Sequence, residues 1–353
     1  MDKGKDHITY NPQPERDIIR TENLSVGYEK GGRLIPVLGD INVSASTGEL
    51  IALIGRNGTG KSTLLRTLMK IQHPLSGNIF ISSINLSRIS SRLLAKKVSY
   101  VSTEYIRVSN MTVKELIALG RHPYTSWLGS LSLADRHKID KAMELVGISH
   151  LNATPINEIS DGERQKAMIA RTIAQDSDII ILDEPTAYLD LPNRYELVAL
   201  LSALTKNHKK TILFSTHDLN IALSVADKLW LIHPGKIQEG APEDMAIDGS
   251  FHHMLQDASL TFNDETGDFD MPVKAGRKII CTGTSKQAKW TCRMLKRLHF
   301  DVQNAKNDSQ KGLPVINISE KNGIFEWTYT RNQIKIRFST LYDLAEYLKT
   351  ENI

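Results

Sequence analysis

With 353 residues, 41% of them hydrophobic and 24% charged, the chain has room for one sizeable globular domain and a smaller one. No run of eighteen apolar residues occurs, which excludes a spanning helix, and the polar start Met1-Asp2-Lys3-Gly4-Lys5-Asp6-His7 lacks the apolar core of a secretory signal. Two cysteines, Cys281 and Cys292, exclude a disulfide framework and point to a reducing cytoplasm; the net charge of +4 divides into +8 from Met271 onward and −4 before it, so the two parts present different surfaces to different partners.

In chain order, residues 1–16 are polar with two prolines and predict a loose tail. From Ile18 to about Val43, alternating apolar residues around Gly31-Gly32 predict antiparallel strands. Apolar runs then alternate with helical patterns, the signal of an α/β domain with a largely parallel sheet. The predicted strands are Leu50–Ile54, Val98–Val101, Ile179–Leu182, Thr211–Ser215 and Lys228–Ile232. A mainly helical stretch, about Thr112 to Ala174, interrupts them; its first helix opens on a Thr112/Glu115 capping box and is predicted to close at Gly120. The acidic stretch Asn263–Asp270 reads as structureless, within a linker over 258–275. Beyond it the pattern predicts strands at 278–280, 315–318, 325–330 and 334–338, with helices over 285–298 and 340–349.

The strongest chemical signal follows the first buried strand. Gly55-Arg56-Asn57-Gly58-Thr59-Gly60-Lys61-Ser62-Thr63 fits G-x-x-x-x-G-K-[ST], between a strand and a helix-forming stretch, Leu64 to Lys70. Its glycines let successive N–H groups turn inward as an anion cradle at a helix N-terminus. Lys61 can reach the outer phosphates and the Ser62 hydroxyl can ligate Mg²⁺. An ordinary strand–turn–helix corner needs only one glycine, so the expected ligand is a nucleoside triphosphate. The strand Ile179–Leu182 ends in Asp183-Glu184, two carboxylates before Pro185. Beside a phosphate loop, Asp183 can hold Mg²⁺ and Glu184 can polarise an attacking water; otherwise they are an exposed acidic strand end. His217, in Ser215-Thr216-His217-Asp218, stands where an imidazole can bond a γ-phosphate. Ser160 and Glu163, in Ile159-Ser160-Asp161-Gly162-Glu163-Arg164-Gln165, form another capping box, a second helix N-terminus that offers N–H groups and a hydroxyl to an anion or, taken in isolation, a helix cap with no ligand.

Together and in this order, these motifs resemble the nucleotide-binding subunit of an ATP-binding cassette (ABC) transporter. The resemblance covers roughly Ile18 to Asp257 and implies an ABC domain over 17–257. The remainder is an N-terminal tail (1–16), the linker, and a small α/β C-terminal domain (276–353) whose residues justify no family assignment. The implied fold is that of an α/β P-loop NTPase: a mostly parallel sheet core, an antiparallel β subdomain and a helical subdomain. Gly55–Thr63 is similar to the Walker A loop, Ile179–Glu184 to Walker B, Ala187-Tyr188-Leu189-Asp190 to the D-loop and His217 to the switch histidine. The resemblance further implies that Tyr28 stacks on adenine and that Lys61, Glu184 and His217 serve hydrolysis, with Ser62 and Asp183 on Mg²⁺. It also implies a head-to-tail dimer in which Ser160, Asp161, Gly162 and Glu163 of one copy close over the ATP of the other. The dimer would drive an integral membrane permease, fed by a periplasmic-type substrate-binding protein, from the cytoplasmic side of the cell membrane.

Two positions depart from the family pattern. Thr103 stands in place of the Gln that touches Mg²⁺, with Glu104 beside it, and a hydroxyl there is expected to weaken Mg²⁺ affinity. Asp161 stands where Gly is usual; its carboxylate must face away from the γ-phosphate. The string Leu119-Gly120-Arg121-His122-Pro123, in a region that faces the membrane subunit in the family, resembles ATPases of iron–siderophore, haem and cobalamin importers. In the C-terminal segment, Lys286, Lys289, Arg293 and Lys296 make one basic helix face: a solvated face, a regulatory ligand site, or a contact with anionic lipid headgroups. A soluble ABC ATPase acting on nucleic acid or ribosomes through this basic segment is the rival reading. A single cassette, no long coiled-coil insertion and no aromatic-rich RNA-binding motif argue against it.

Overall fold

The computed structural model describes residues 17–102, 111–126, 129–187, 189–233, 235–255, 260–263, 267–270, 276–283, 285–303, 312–321 and 323–351. The chain divides into two compact units, the first running to Asp257 and taking back Phe262–Asp268, the second made of Ala258–Thr261 and Phe269 to the end.

In the first unit, β1 (Asp17–Lys30) and β2 (Arg33–Ile41) form a hairpin over the Gly31-Gly32 turn, with β3 (Ser44–Ser46) returning along β1. Next come β4 (Leu50–Ile54), α1 (Lys61–Leu68), β5 (Ser76–Ile81), β6 (Ile84–Asn85), α2 (Ser91–Lys97) and β7 (Val98–Val101). The helical stretch contains α3 (Val113–Ala118), α4 (Leu133–Leu145) and α5 (Asp161–Gln175). Then follow β8 (Ile179–Leu182), α6 (Leu191–His208), β9 (Thr211–Thr216), α7 (Leu219–Val225), β10 (Lys228–His233), β11 (Lys236–Gly240), α8 (Pro242–Ile247) and α9 (Ser250–Leu255).

The strands make two sheets. One is antiparallel, ordered β2-β1-β5-β6 with β3 on β1; the other is ordered β11-β10-β4-β9-β8-β7 and is parallel except for the β11 edge. Strands β4 and β8 are buried throughout, as a sheet covered on both faces requires. Helix α1 lies in the core shared by the two sheets, its Leu64, Leu65 and Leu68 fully buried among residues of both. Each such side chain contributes roughly 1.5–3 kcal/mol of transfer free energy. The Gly55–Thr63 loop therefore leads directly into a helix held in the buried core of the unit.

The helical stretch has its own clamp. Helix α3 does not stop at Gly120; it tightens into a 3₁₀ turn over Leu119–Tyr124. Gly120 is required by packing, since a Cβ there would stand 2.2 Å from the Arg171 carbonyl oxygen in α5. Next to it Arg121, 3% exposed, donates from Nε to Asp135 Oδ1 in α4 at 2.8 Å and from Nη1 to the Ala174 carbonyl at the end of α5 at 2.7 Å. The Gly and Arg of the string that resembles metal-chelate importers are thus turned into the helical stretch, where they join three helices. The Ser132 hydroxyl and then the Arg121 guanidinium hold the Asp135 carboxyl down at about 2, against an ordinary 3.8.

Within the segment expected to lack structure, β12 (Thr261–Asn263) and β13 (Asp268–Asp270) pair, and Phe262 is buried, its ring 4.9 Å from that of Phe251. Aromatic burial overrode the acidic composition. The second unit contains β14 (Lys278–Cys281), α10 (Lys286–Arg297), β15 (Asp301–Gln303), β16 (Val315–Lys321), β17 (Ile324–Arg331), β18 (Ile334–Phe338) and α11 (Leu341–Thr350). Its sheet runs β15-β14-β16-β17-β18, parallel across the first three strands and antiparallel beyond. Met294 and Leu295 of α10 and Leu344, Ala345 and Leu348 of α11 share a core with Ile279, Ile316, Trp327 and Tyr329. Burial pushes the Cys281 thiol up to about 12, so it packs as a small apolar group.

Asp135→Asn is expected to lower the unfolding free energy at pH 7 by about 3 kcal/mol, because it strands a buried guanidinium. The pair's contribution is complete above the ordinary carboxyl value of 3.8 and disappears as pH falls through about 2. Thermal melts of the two proteins should therefore converge in acid, and equal melts at pH 7 would show that the pair does not stabilise the fold.

Candidate nucleotide site

Strand register assembles the site. Ile54 of β4 pairs with Thr216 of β9, and Leu182 of β8 pairs with Phe214, so three parallel strands end at one edge of the sheet. The residues just beyond those ends are the Gly55–Thr63 loop, Asp183-Glu184 and His217. Crevices at the carboxyl ends of parallel strands are where open α/β sheets bind ligands.

The loop leads straight into helix. Gly60 has φ 104°, a left-handed conformation that suits glycine, and it turns the chain so that α1 starts at Lys61, three residues before the expected Leu64. Lys61, Ser62 and Thr63 thereby occupy the first turn of α1, whose N–H groups have no intrahelical acceptor. The Lys61 ammonium is 5% exposed; it donates to the Gly55 carbonyl at 2.9 Å and the Arg56 carbonyl at 3.3 Å. The Thr59 hydroxyl closes the loop on the Arg56 carbonyl at 2.8 Å. Tyr28, half exposed at the end of β1, shares a hydrogen bond of 2.5 Å between its hydroxyl and Thr63 Oγ1, tying the antiparallel sheet to the loop helix.

Opposite the loop, Glu184 lies between two basic groups: Oε1 is 3.6 Å from Lys61 Nζ and Oε2 is 3.9 Å from His217 Nδ1. Its backbone is left-handed, φ 46°, a conformation that costs a non-glycine residue about 1–2 kcal/mol. Two hydrogen bonds hold it there, from its own N–H to Ser215 Oγ at 2.8 Å and from the Ala187 N–H to its carbonyl at 3.0 Å. The Ser215 hydroxyl also donates to Asp183 Oδ1 at 2.7 Å, so one buried serine holds the Asp183 carboxylate and the Glu184 backbone together. Sequence reasoning missed Ser215. The available signal was a hydroxyl residue in place of an apolar one at the end of an otherwise buried strand.

Asp183 N–H donates to the Val101 carbonyl, extending the β7–β8 ladder to the segment that continues toward Thr103. Thr103 itself lies outside the described residues. Asp190 caps α6, its Oδ1 accepting from Asn193 N–H at 3.0 Å.

The Ser160–Glu163 group is built separately. Ser160 Oγ accepts from the Glu163 N–H at 3.3 Å, while Glu163 Oε2 accepts from the Ser160 N–H and hydroxyl at 2.8 and 2.7 Å. These bonds hold the Glu163 carboxyl below the usual carboxylate range. Asp161 Oδ1 pairs with Arg164 Nη1 at 2.9 Å, which draws its charge toward the next turn of α5. Among the described residues, none of the hydrogen bonds of Ser160, Asp161 or Glu163 reaches the Gly55–Thr63 loop. A Cβ on Gly162 would meet only ordinary contacts at 3.6 Å, so this chain alone does not require glycine there.

Residues 38–187 match the ABC transporter family model, and residues 276–349 match the iron ABC transporter C-terminal domain. An uncharacterised ABC transporter ATP-binding protein of Methanocaldococcus jannaschii is 35% identical over 81% of this chain and 98% of its own length. The chain belongs to the ABC transporter ATP-binding protein family. Its ferric enterobactin transport relative in Escherichia coli K12 is 32% identical over 76% of this chain and 97% of that protein. The dimeric structure of a bacterial ABC transporter cassette, 24% identical, superimposes with a TM-score of 0.57 over 64% of this chain and 98% of that one, which shows a shared fold. As a member of this family the protein is an ATPase, and its C-terminal unit, for which the sequence motifs gave no assignment, has a counterpart in iron transporters.

Ser215→Ala is expected to cut ATP turnover by about tenfold to a hundredfold, because the Asp183 carboxylate and the Glu184 backbone lose their common anchor. ATP affinity, which the sequence motif assigns to the Gly55–Thr63 loop, should change by less than about threefold. Unchanged turnover would show that the Ser215 hydrogen bonds do not position the catalytic groups.

Proposed function

We propose that this chain is the ATP-hydrolysing subunit of an importer for a ferric chelate, working as a head-to-tail pair bound to a membrane permease. The observation that carries the ATPase part is the Glu184 carboxylate standing between Lys61 and His217 at the carboxyl edge of the sheet. In this reading the loop N–H groups and Lys61 bind the β- and γ-phosphates, and Tyr28 stacks on the adenine. Glu184 accepts hydrogen bonding from the attacking water, which it holds in line with the γ-phosphorus. His217 bonds the γ-phosphate and registers its loss. Positioning and charge neutralisation of this kind are what phosphoryl transfer asks of a protein.

The donor set suits Mg²⁺. Asp183 and Ser62 offer hard oxygen ligands, and among the described residues no group of three His, Cys, Asp or Glu forms a cage of its own. Mg²⁺ commonly takes one or two protein oxygens and completes its shell with substrate phosphates and water. Ser62 and Asp183 would hold it, with Thr103 as the third proposed contact, and the bound ion would supply charge neutralisation at the phosphates.

The second copy enters this reading because the Ser160–Glu163 group is built apart from the Gly55–Thr63 loop, its hydrogen bonds among the described residues staying within its own helix turn. In the pair that group closes over the ATP on the other copy's loop, with Asp190 at the junction between copies. No helix among the described residues is long and apolar enough to cross a membrane; in this reading a separate permease supplies the membrane path. The chelate reading rests on the C-terminal match and on the transport relative; haem and cobalamin are the other candidates. An extracytoplasmic substrate-binding protein completes the proposed importer. The relatives are transport proteins and favour this reading over an ATPase acting on nucleic acid.

Glu184→Gln is expected to retain ATP binding, to lose turnover by about a hundredfold or more, and to run as an ATP-dependent dimer on size exclusion. Lys61→Ala should lose nucleotide affinity by at least about tenfold and remain monomeric with ATP. Turnover by Glu184→Gln at the wild-type rate would remove Glu184 from its role. An ATP-replete Glu184→Gln protein that stays monomeric would remove the second copy.

A further inference from the structure

The helix α10 has two faces of opposite character. Ala288, Thr291, Met294 and Leu295 are buried against the sheet of the second unit, and Trp327 Nε1 donates to Thr291 Oγ1 at 2.8 Å. The other face carries Lys286, Lys289, Trp290, Arg293, Lys296 and Arg297, all exposed. The helix contains no Asp or Glu, so its outer stripe is five cations along about 18 Å of helix. Trp290 sits in the middle of that stripe, 53% exposed, with the Arg293 guanidinium 5.4 Å from its ring centroid.

We propose that this outer face of α10 docks on a bilayer surface of anionic lipid headgroups. Each lysine or arginine beside such a surface is drawn by its negative potential, and tryptophan is the side chain that settles at the boundary between headgroup and hydrocarbon. A basic face with a central indole on a helix whose other side is already buried is a surface helix poised to lie in the interface plane. An all-basic stripe also suits a nucleic-acid backbone. A duplex backbone would use the cations alone and leave the exposed Trp290 without a role, and a single strand calls for several aromatic platforms where this helix offers one indole. The choice of a membrane further rests on the transporter reading, which keeps the protein beside a bilayer during its cycle.

The test is flotation of the full-length protein with vesicles of phosphatidylcholine alone or with about 30% phosphatidylglycerol, without ATP or permease. The expected result is at least tenfold stronger binding to the anionic vesicles, lost when NaCl rises from about 0.1 M to about 0.5 M. The double variant Lys289→Gln/Arg293→Gln should bind roughly 25-fold more weakly, about fivefold per cation. Trp290→Ala should weaken binding while leaving its salt dependence in place. ATP turnover in solution serves as the folding control for each variant, and Lys286→Gln/Lys289→Gln replaces the first pair should that variant fail to fold. Equal binding to both vesicle types, or wild-type binding by a folded double variant, would overturn the proposal. So would displacement of the vesicles by a short DNA duplex at equal charge, which would assign the face to nucleic acid. Since neither ATP nor a second copy enters the assay, its failure would leave the dimer prediction for Glu184→Gln untouched.

Discussion

Everything at the site depends on the register of three adjacent parallel strands. Pairing of Ile54 with Thr216 and of Leu182 with Phe214 places the ends of β4, β9 and β8 side by side. A shift of one residue in any of them would swap its side chains between two packed faces and either draw its terminal polar residue into the core or carry it away from the edge. Because β4 and β8 are buried completely, such a shift is strongly opposed by burial. The hydrophobic core thus fixes the spacing between the phosphate loop, the carboxylate pair and the imidazole.

On this frame the local devices do different jobs. Gly60 converts the loop into the start of α1, and the leucines of α1 lock it between the two sheets. Ser215 then holds Asp183 by its carboxylate and Glu184 by its backbone, offsetting the cost of a left-handed glutamate. Strain placed at a catalytic candidate and supported by a neighbouring strand fits a group whose direction matters. The helical stretch is built as a separate object, held by Gly120 against Arg171 and by the Arg121–Asp135 pair. It can present Ser160 and Gly162 as a preformed outer wall.

Much of this was legible in the sequence. The strands β4, β7, β8 and β10 stand out as short, mostly apolar runs, and the phosphate loop is a spacing with a mechanism. The capping box at Ser160 is visible because its logic is local. What stayed hidden depends on tertiary neighbours. Gly120 reads as a helix stop until α5 is seen pressed against it, and Arg121 reads as a surface arginine until Asp135 and the Ala174 carbonyl surround it. Ser215 shows in the sequence only as a hydroxyl within an apolar strand, and the residues it bonds lie about thirty positions away. The linker departs from the expectation because Phe262 is buried beside Phe251, a tertiary contact that the acidic composition of the stretch does not show.

The central claim is that the phosphate loop of one copy is completed by the α5 N-terminus of another. Mixing Asn57→Cys protein with Ser160→Cys protein under mild oxidation tests it most directly. Both positions are exposed in the single chain. The account predicts an ATP-dependent disulfide between the two variants, absent from either variant alone and absent when Lys61→Ala is added to the Asn57→Cys copy. A cross-link that forms equally without ATP, or none in the presence of ATP, would contradict it.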